Sequence, residues 1–270
     1  MNEPFPDEAL QRICRLACEA GDVIQSKRHV AQDADVKADG SPVTAADLAA
    51  HDLIARALED VSPRAPVISE EGDLSAVNDP PRLFWLVDPL DGTKDYVQGF
   101  PDYTVNIALV EDGEVLAGVI RAPAQRTTYW AVRGNGAWKA QDGSETKPLR
   151  PRGGQGPFVA AVSRSHLDSR TRHLLQLLGV DQMIQRGSSI KMCAVAEGEA
   201  DIYPRLAPTS VWDTAAGAAV AREAGCAVLA PDGTDISYDL SDGVLREAFI
   251  VCGGESSLID KLRGIDWASL

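Results

Sequence analysis

The chain has 270 residues, 44% hydrophobic and 24% charged, an ordinary globular usage that leaves no room for a disordered or fibrous protein. Lys and Arg number 26 against 40 Asp and Glu, a net charge of −14. That balance argues against duplex DNA or RNA as a partner, because phosphate-backbone binding draws on clustered cations. An anionic small molecule remains compatible where something local reverses the field, as a bound metal ion would.

The first helical pattern runs from about Asp7 to His29, with Leu10, Ile13, Leu16, Ala17, Ala20, Val23 and Ile24 at i, i+3, i+4 spacing. A polar loop leads to Pro42-Val43, and a second helix is predicted from Thr44 to about Leu58. Val67-Ile68 reads as a short strand ending in Ser69-Glu70-Glu71. Leu83 to Val87 is a continuous apolar run suited to a strand covered on both faces. Tyr103–Val110, Glu114–Ile120 and Arg126–Val132 continue as strands joined by tight turns, and Gly134 to Trp138 extends the meander. Gln141 to Pro157 is rich in Gly, Pro and charge and reads as a linker.

Beyond it strands and helices alternate. Strands are predicted at Phe158–Ser163, Gln182–Gln185, Ala200–Tyr203, Ala227–Leu229 and Ala248–Val251, and helices at Ser169–Leu178, Ile190–Ala196, Thr214–Ala224 and Ser256–Leu262. The expected architecture is a layered α+β and α/β fold in two lobes: residues 1–150, a helix pair plus antiparallel sheet, and residues 151–270, an α/β lobe.

Five cysteines (Cys14, Cys18, Cys193, Cys226, Cys252) form no Cys-x-x-Cys pair and no Cys/His cluster. They read as buried free thiols in a reducing compartment, without a disulfide framework or structural zinc. The opening Met1-Asn-Glu-Pro-Phe-Pro lacks the basic and apolar regions of a signal peptide, and no apolar run approaches the ~20 residues of a membrane span. A cytoplasmic protein is expected.

Chemistry-bearing residues gather in four segments. Asp88-Pro-Leu-Asp91-Gly-Thr93 puts two carboxylates three residues apart on a turn at a strand end, with Gly92 permitting close approach of a ligand. Glu70 follows another strand, Asp213 precedes an apolar helix in Trp212-Asp-Thr-Ala-Ala-Gly217, and Asp47 closes Pro42-Val-Thr-Ala-Ala-Asp47. Carboxylates with main-chain oxygen suit a hard divalent cation, Mg²⁺ above all, and amides at Gly92 and Thr93, if they open a helix, suit a phosphate. Together these point to metal-assisted phosphoryl hydrolysis. Each segment also has a plainer reading. Asp213 could cap its helix, and Thr44-x-x-Asp47 fits a capping box. Asp91-Gly92 is a common turn pair, and Glu70-Glu71 could be a solvated surface pair.

At these residues the sequence resembles the inositol monophosphatase superfamily. The matching segments are Ser69-Glu70-Glu71, Trp85-Leu-Val-Asp88-Pro-Leu-Asp91-Gly-Thr93 and Trp212-Asp213-Thr-Ala-Ala-Gly217. Within it the likeness is to the bacterial 3'(2'),5'-bisphosphate nucleotidases of the CysQ type. It rests on Ser41 to Asp47, Pro89 to Lys94, Thr104 to Leu109, Ser163-Arg-Ser-His166, Gly187-Ser-Ser-Ile-Lys191, Ala196 to Gly198 and Tyr203-Pro-Arg205. The resemblance spans about Ala17 to Val251 and implies an αβαβα sandwich with the site between the lobes. It implies Glu70, Asp88, Asp91, Asp213 and the Leu90 carbonyl as ligands of two or three Mg²⁺ ions, with Li⁺ inhibitory. The reacting phosphate would lie against Glu70, Leu90, Asp91, Gly92, Thr93 and Asp213. Glu70 would activate water through its metal, and Thr93 with Asp47 would orient that water; the choice of general base between them stays open.

The implied substrate is 3'-phosphoadenosine 5'-phosphate (PAP), cleaved to AMP and phosphate in sulfur assimilation, with PAPS as a candidate second substrate. Ser163, His166, Ser188, Ser189, Lys191 and Arg205 would face the nucleotide. Two other readings share the metal residues: an inositol-1-phosphate or fructose-1,6-bisphosphate phosphatase, and an inactive metal- or nucleotide-binding regulator. Asp95-Tyr-Val-Gln-Gly-Phe-Pro101 is where the chain departs from its relatives' pattern. A monomer is expected, and although the group's bacterial members are described as peripheral to the inner membrane, no basic amphipathic anchor is visible in this chain.

Overall fold

The computed structural model describes residues 5–30, 35–36, 42–62, 64–153, 156–164, 167–241, 243–254, 257–267 and 270. Helix α1 (Asp7–Ser26) turns the stripe of Ile13, Leu16, Ala17, Ala20 and Ile24 inward. A short ladder of β1 (Asp35–Val36) and β2 (Pro42–Val43) precedes α2 (Ala45–Val61), which buries Ala46, Ala50, Ile54 and Leu58. Both helices are amphipathic in the sense the spacing predicts, and each lays its apolar face on a sheet.

That sheet has seven strands in sequence order: β3 (Val67–Ser69), β4 (Leu83–Asp91), β5 (Thr104–Glu111), β6 (Glu114–Ala122), β7 (Thr127–Val132), β8 (Ala137–Gln141) and β9 (Lys147–Pro148). β3 runs parallel to β4 and the remaining neighbours are antiparallel. A short helix, α3 (Thr93–Val97), sits between β4 and β5. Part of the stretch expected as linker is therefore structured, because Lys147 and Pro148 pair with Lys139 and Trp138 at the sheet edge. Pro is tolerated there since an edge strand can spare a donor.

From β10 (Val159–Ser163) the chain alternates: α4 (Ser169–Leu178), β11 (Gln182–Arg186), α5 (Ile190–Ala196), β12 (Ile202–Arg205), the two-residue β13 (Thr209–Ser210), α6 (Val211–Ala224), β14 (Cys226–Leu229), β15 (Leu245–Arg246), β16 (Phe249–Gly253) and α7 (Leu258–Arg263). Five of these strands form a mixed sheet in the order β11-β10-β12-β16-β14, while β13 and β15 pair separately.

Strand alternation sets the layers. Along β4, Trp85 and Val87 pack with α1 and α2, whereas Phe84 and Leu86 join a core shared with α5 and α6. Along β10, Ala161 faces that shared core, while Ala160 and Val162 meet Leu174 and Leu175 of α4 and Leu258 of α7. The order is helices, sheet, helices, sheet, helices, as the sequence led us to expect. α6 is buried nearly all round and rich in alanine (Ala215, Ala216, Ala218, Ala219, Ala221), which lets it lie close between two sheets. Cys193, Cys226 and Cys252 are buried, Cys14 and Cys18 are half-buried, and none of the five is in a disulfide. Among the described residues no helix is long and apolar enough to cross a membrane.

Candidate active site

The strand β4 is covered on both faces as far as Asp88 and then slips register against β5 between Asp88 and Asp91. Pro89 brings no N–H to the ladder, which is why the pairing breaks here. The Asp88 carboxylate folds back to accept a hydrogen bond from the Leu90 amide at 3.0 Å. Gly92 then adopts φ of +90°, and a Cβ there would stand 3.0 Å from the Asp102 carbonyl oxygen. Only glycine fits that turn without strain. α3 begins directly after it, so the sequence expectation of a helix opening at Gly92-Thr93 holds.

Three of the four expected acids converge. Carboxylate oxygens of Glu70, Asp88 and Asp213 lie within 4.8 Å of one another. Glu70 is carried there by the end of β3, its amide donating to the Val87 carbonyl at 3.1 Å. Asp213 arrives from the first turn of α6, whose N-cap is Ser210. The helix begins three residues before the sequence boundary, so the capping reading of Asp213 does not apply. Asp91 lines the same pocket but is engaged separately: its Oδ2 accepts from the Ser189 amide at 2.7 Å and from Asn106 Nδ2 at 3.4 Å. Burial pushes the Asp88 carboxyl well above the usual range, and the like charges of Glu70, Asp91 and Asp213 push it further. Asp213 is raised in the same way, by burial first and then by Asp91 and Glu70. Asp91 is also raised by burial, with Lys191 and the Ser189 amide opposing.

Thr44 and Asp47 form the capping box of α2, with Asp47 Oδ2 accepting from the Thr44 amide at 2.8 Å and from Thr44 Oγ1 at 2.6 Å. The other oxygen of Asp47 accepts from Thr93 Oγ1 at 3.0 Å, and the same hydroxyl lies 3.0 Å from the Leu90 carbonyl. One carboxylate thus both caps α2 and receives the Thr93 hydroxyl. Asp47 is 2% exposed and touches the pocket through Thr93.

The pocket has a volume of about 310 Å³, and Ser163, Ser188, Ser189, Lys191 and Arg205 line it together with Glu70, Asp88 and Asp213. Lys191 Nζ donates to the Ser188 carbonyl at 2.6 Å and sits 5.3 Å from the centre of the Tyr203 ring. Burial lowers its ammonium to about 8, against the pull of Asp91. Arg205 Nε donates to Thr209 Oγ1 at 2.8 Å. Ser189 Oγ donates to Asn106 Oδ1 at 2.7 Å, tying this part of the lining to β5. His166 lies outside the described residues.

Several groups here lie in or beside segments that carried the resemblance, without a role of their own assigned from the sequence. Thr104 and Asn106 are buried polar side chains two apart on β5, and a polar pair at strand period inside an apolar run was the available signal. Lys94 and Asp95 also line the pocket. Arg164 bridges Asp95 (3.2 Å) and Asp102 (2.7 Å) and packs over Phe100. Nothing in the local spacing of these residues announces that bridge.

The model of the inositol monophosphatase family matches residues 6–262. The 3'(2'),5'-bisphosphate nucleotidase CysQ of Escherichia coli K12 is 43% identical over 252 residues, covering 90% of this chain and 98% of that protein. Among solved structures, CysQ from Bacteroides thetaiotaomicron, described as a bacterial member of the inositol monophosphatase family, superposes with a TM-score of 0.79. It is 38% identical and covers 93% of this chain and 98% of its own. The extragenic suppressor protein suhB from Bartonella henselae superposes with a TM-score of 0.78 at 26% identity, covering 96% and 98%.

Proposed function

The chain belongs to the inositol monophosphatase family, and from that premise we propose that it is a Mg²⁺-dependent 3'(2'),5'-bisphosphate nucleotidase that hydrolyses the 3'-phosphate of PAP to give AMP and phosphate, with PAPS as a second substrate and Li⁺ as an inhibitor. The observation that carries the phosphatase chemistry is the convergence of Glu70, Asp88 and Asp213 within 4.8 Å in a pocket that also holds the Gly92-Thr93 turn. The relatives' activity supports the narrower substrate.

The donor set fits a hard cation. It is all oxygen, it is shielded from water at Asp88, and the Asp88 and Asp213 carboxyls are raised by burial and then by neighbouring carboxylates, a like-charge repulsion that an added cation relieves. Glu70, Asp88 and Asp213 would hold the ion, with Asp91 and the Leu90 carbonyl beside them. Bound there, Mg²⁺ supplies positive charge that acidifies water near neutral pH and neutralises the phosphate. Thr93 shares its one hydroxyl proton between Asp47 and the Leu90 carbonyl, so its oxygen keeps a lone pair facing the pocket to accept a hydrogen bond from the attacking water. Asp47 fixes that orientation and stands ready to take up a proton through Thr93. Lys191 and Arg205 are held by Ser188 and Thr209, preorganised to receive the nucleotide's second phosphate, with Ser163, Ser188 and Ser189 offering hydroxyls. A cytoplasmic, monomeric enzyme is the form that five cysteines outside any disulfide and the closeness to this group support.

Phosphate release measured side by side from PAP, inositol-1-phosphate and fructose-1,6-bisphosphate tests the proposal. Preference for PAP, lost on chelation and reduced by Li⁺, is expected. Preference for either sugar phosphate would overturn the roles of Lys191 and Arg205, and no release from any of them would favour an inactive binding protein.

A further inference from the structure

Helix α2 carries two polar residues one turn apart, Asp47 and His51, and each reaches a different segment of the site. Asp47 holds Thr93. His51 Nδ1 lies 2.9 Å from Ser69 Oγ, and Ser69, fully buried, is the last residue of β3, immediately before Glu70. The ring also rests on the turn that follows, since a Cβ built on Gly72 would stand 3.2 Å from His51 Cε1. That turn is closed by the Gly72 amide donating to the Ser69 carbonyl at 3.0 Å.

We infer that His51 is a positioning residue for Glu70: by gripping the Ser69 hydroxyl and covering the turn through Gly72, it fixes the direction in which β3 delivers the Glu70 carboxylate to the site. The sheet alone does not do this. The ladder to β4 sets the backbone up to the Glu70 amide, which donates to Val87. The chain then turns away, and the torsions that aim the carboxylate belong to the turn beneath the imidazole. A buried serine hydroxyl needing a partner is the plainer role for His51, and it predicts a loss of stability alone. The positioning role predicts a loss of cation affinity with the fold intact, because partners one step behind a ligand commonly contribute about 10-fold or more to affinity.

The inference rests on the reading of Glu70, Asp88 and Asp213 as a cation site, and its test separates the two. Mn²⁺ is titrated into the wild type, His51→Ala, His51→Asn and Ser69→Ala, with free Mn²⁺ followed by electron paramagnetic resonance and melting measured in chelator. We expect about 10-fold weaker Mn²⁺ binding in His51→Ala and in Ser69→Ala, with no further loss when the two are combined. His51→Asn, whose amide can meet Ser69, should restore most of the affinity. Ser69→Ala leaves the ring in place and carries the test if His51→Ala does not fold. Wild-type affinity in both alanine variants, or a lower melting temperature with unchanged affinity, overturns the positioning role while leaving the cation site standing. A wild type that binds no Mn²⁺ overturns the cation site and the inference with it.

Discussion

Arg121 and Asp88 both lie in the seven-stranded sheet, 3% and 1% exposed, and their surroundings could hardly differ more. Around Arg121 the charge is settled internally: Asp142 meets it with both oxygens, at 2.7 and 2.8 Å, and Thr128 accepts a further bond at 3.1 Å. These bonds hold the Asp142 carboxyl down at about 2. Around Asp88 the neighbours Glu70, Asp91 and Asp213 carry the same sign, and burial and repulsion push its carboxyl up. Burying a charge without an opposite partner costs stability. The scaffold avoids that cost around Arg121 and accepts it around Asp88, where we propose that a cation binds, and an electrostatic misfit of this kind is what points to the site.

The largest effect is expected from removing one member of the like-charged set. In the folded protein Asp213 is raised above its ordinary value of 3.8, so the ionised form is disfavoured by folding. The penalty is absent below that value and grows as the pH rises through the folded pKa. Asp213→Asn should therefore melt higher than the wild type in chelator at neutral pH, by about 3 °C if roughly 1 kcal/mol is relieved, and the gap should close as the pH falls towards 4. Mg²⁺ should stabilise the wild type and not the variant, and turnover should fall by about 1000-fold. A variant that melts below the wild type in chelator would contradict the like-charge account.

Asp142→Asn tests the other region, with the opposite sign. Its folded carboxyl lies below the ordinary 3.8, so its contribution is present above that value and is lost as the pH falls through about 2. At pH 7 the substitution should cost about 2 kcal/mol, less than for a fully enclosed pair because Asp142 keeps partial contact with water. Urea denaturation at pH 7 and near pH 2 measures it, and the two curves should converge at the lower pH with activity at neutral pH unchanged. A pH-independent difference would mean that packing, and not the ion pair, sets the cost.

Much of the frame was legible because its signals are local. The helix from Ser169 to Leu178 begins and ends where the sequence said, since Asp168 caps it and Gly179 takes the left-handed exit. The helix Ile190–Ala196 also falls on its expected bounds. The acids Glu70, Asp88 and Asp213 were legible because each follows an apolar run, and the structure brings them together. What was not legible depends on distant partners. Asp91 accepts a hydrogen bond from the Ser189 amide, 98 positions away in sequence. The strand at Lys147-Pro148 hides in a turn-rich stretch and exists only because β8 offers it an edge. Arg164, Asp95 and Asp102 meet only when the two sheets stack, which no periodicity encodes.

Asp47 stands between the two regions and gives the finest test. It is as buried as Asp88 but well supplied with donors, from Thr44 on one oxygen and Thr93 on the other. Those bonds lower its carboxyl, yet burial outweighs them and leaves it raised. One question is whether the cap and the Thr93 contact are independent. Thr44→Val keeps the shape, removes the hydroxyl that receives the Ala46 amide at 3.1 Å, and withdraws one donor from Oδ2 while the Thr44 amide remains. The lost cap should cost about 1 kcal/mol in urea denaturation. If the two oxygens move as one rigid group, the loosened carboxylate also releases Thr93, and kcat should fall about 5-fold, the equivalent of one neutral hydrogen bond, with KM unchanged. A variant that loses stability while keeping its kcat would show that Oδ1 holds Thr93 unaided. The capping box would then belong wholly to the scaffold, and the site would begin at the single contact between Asp47 and Thr93.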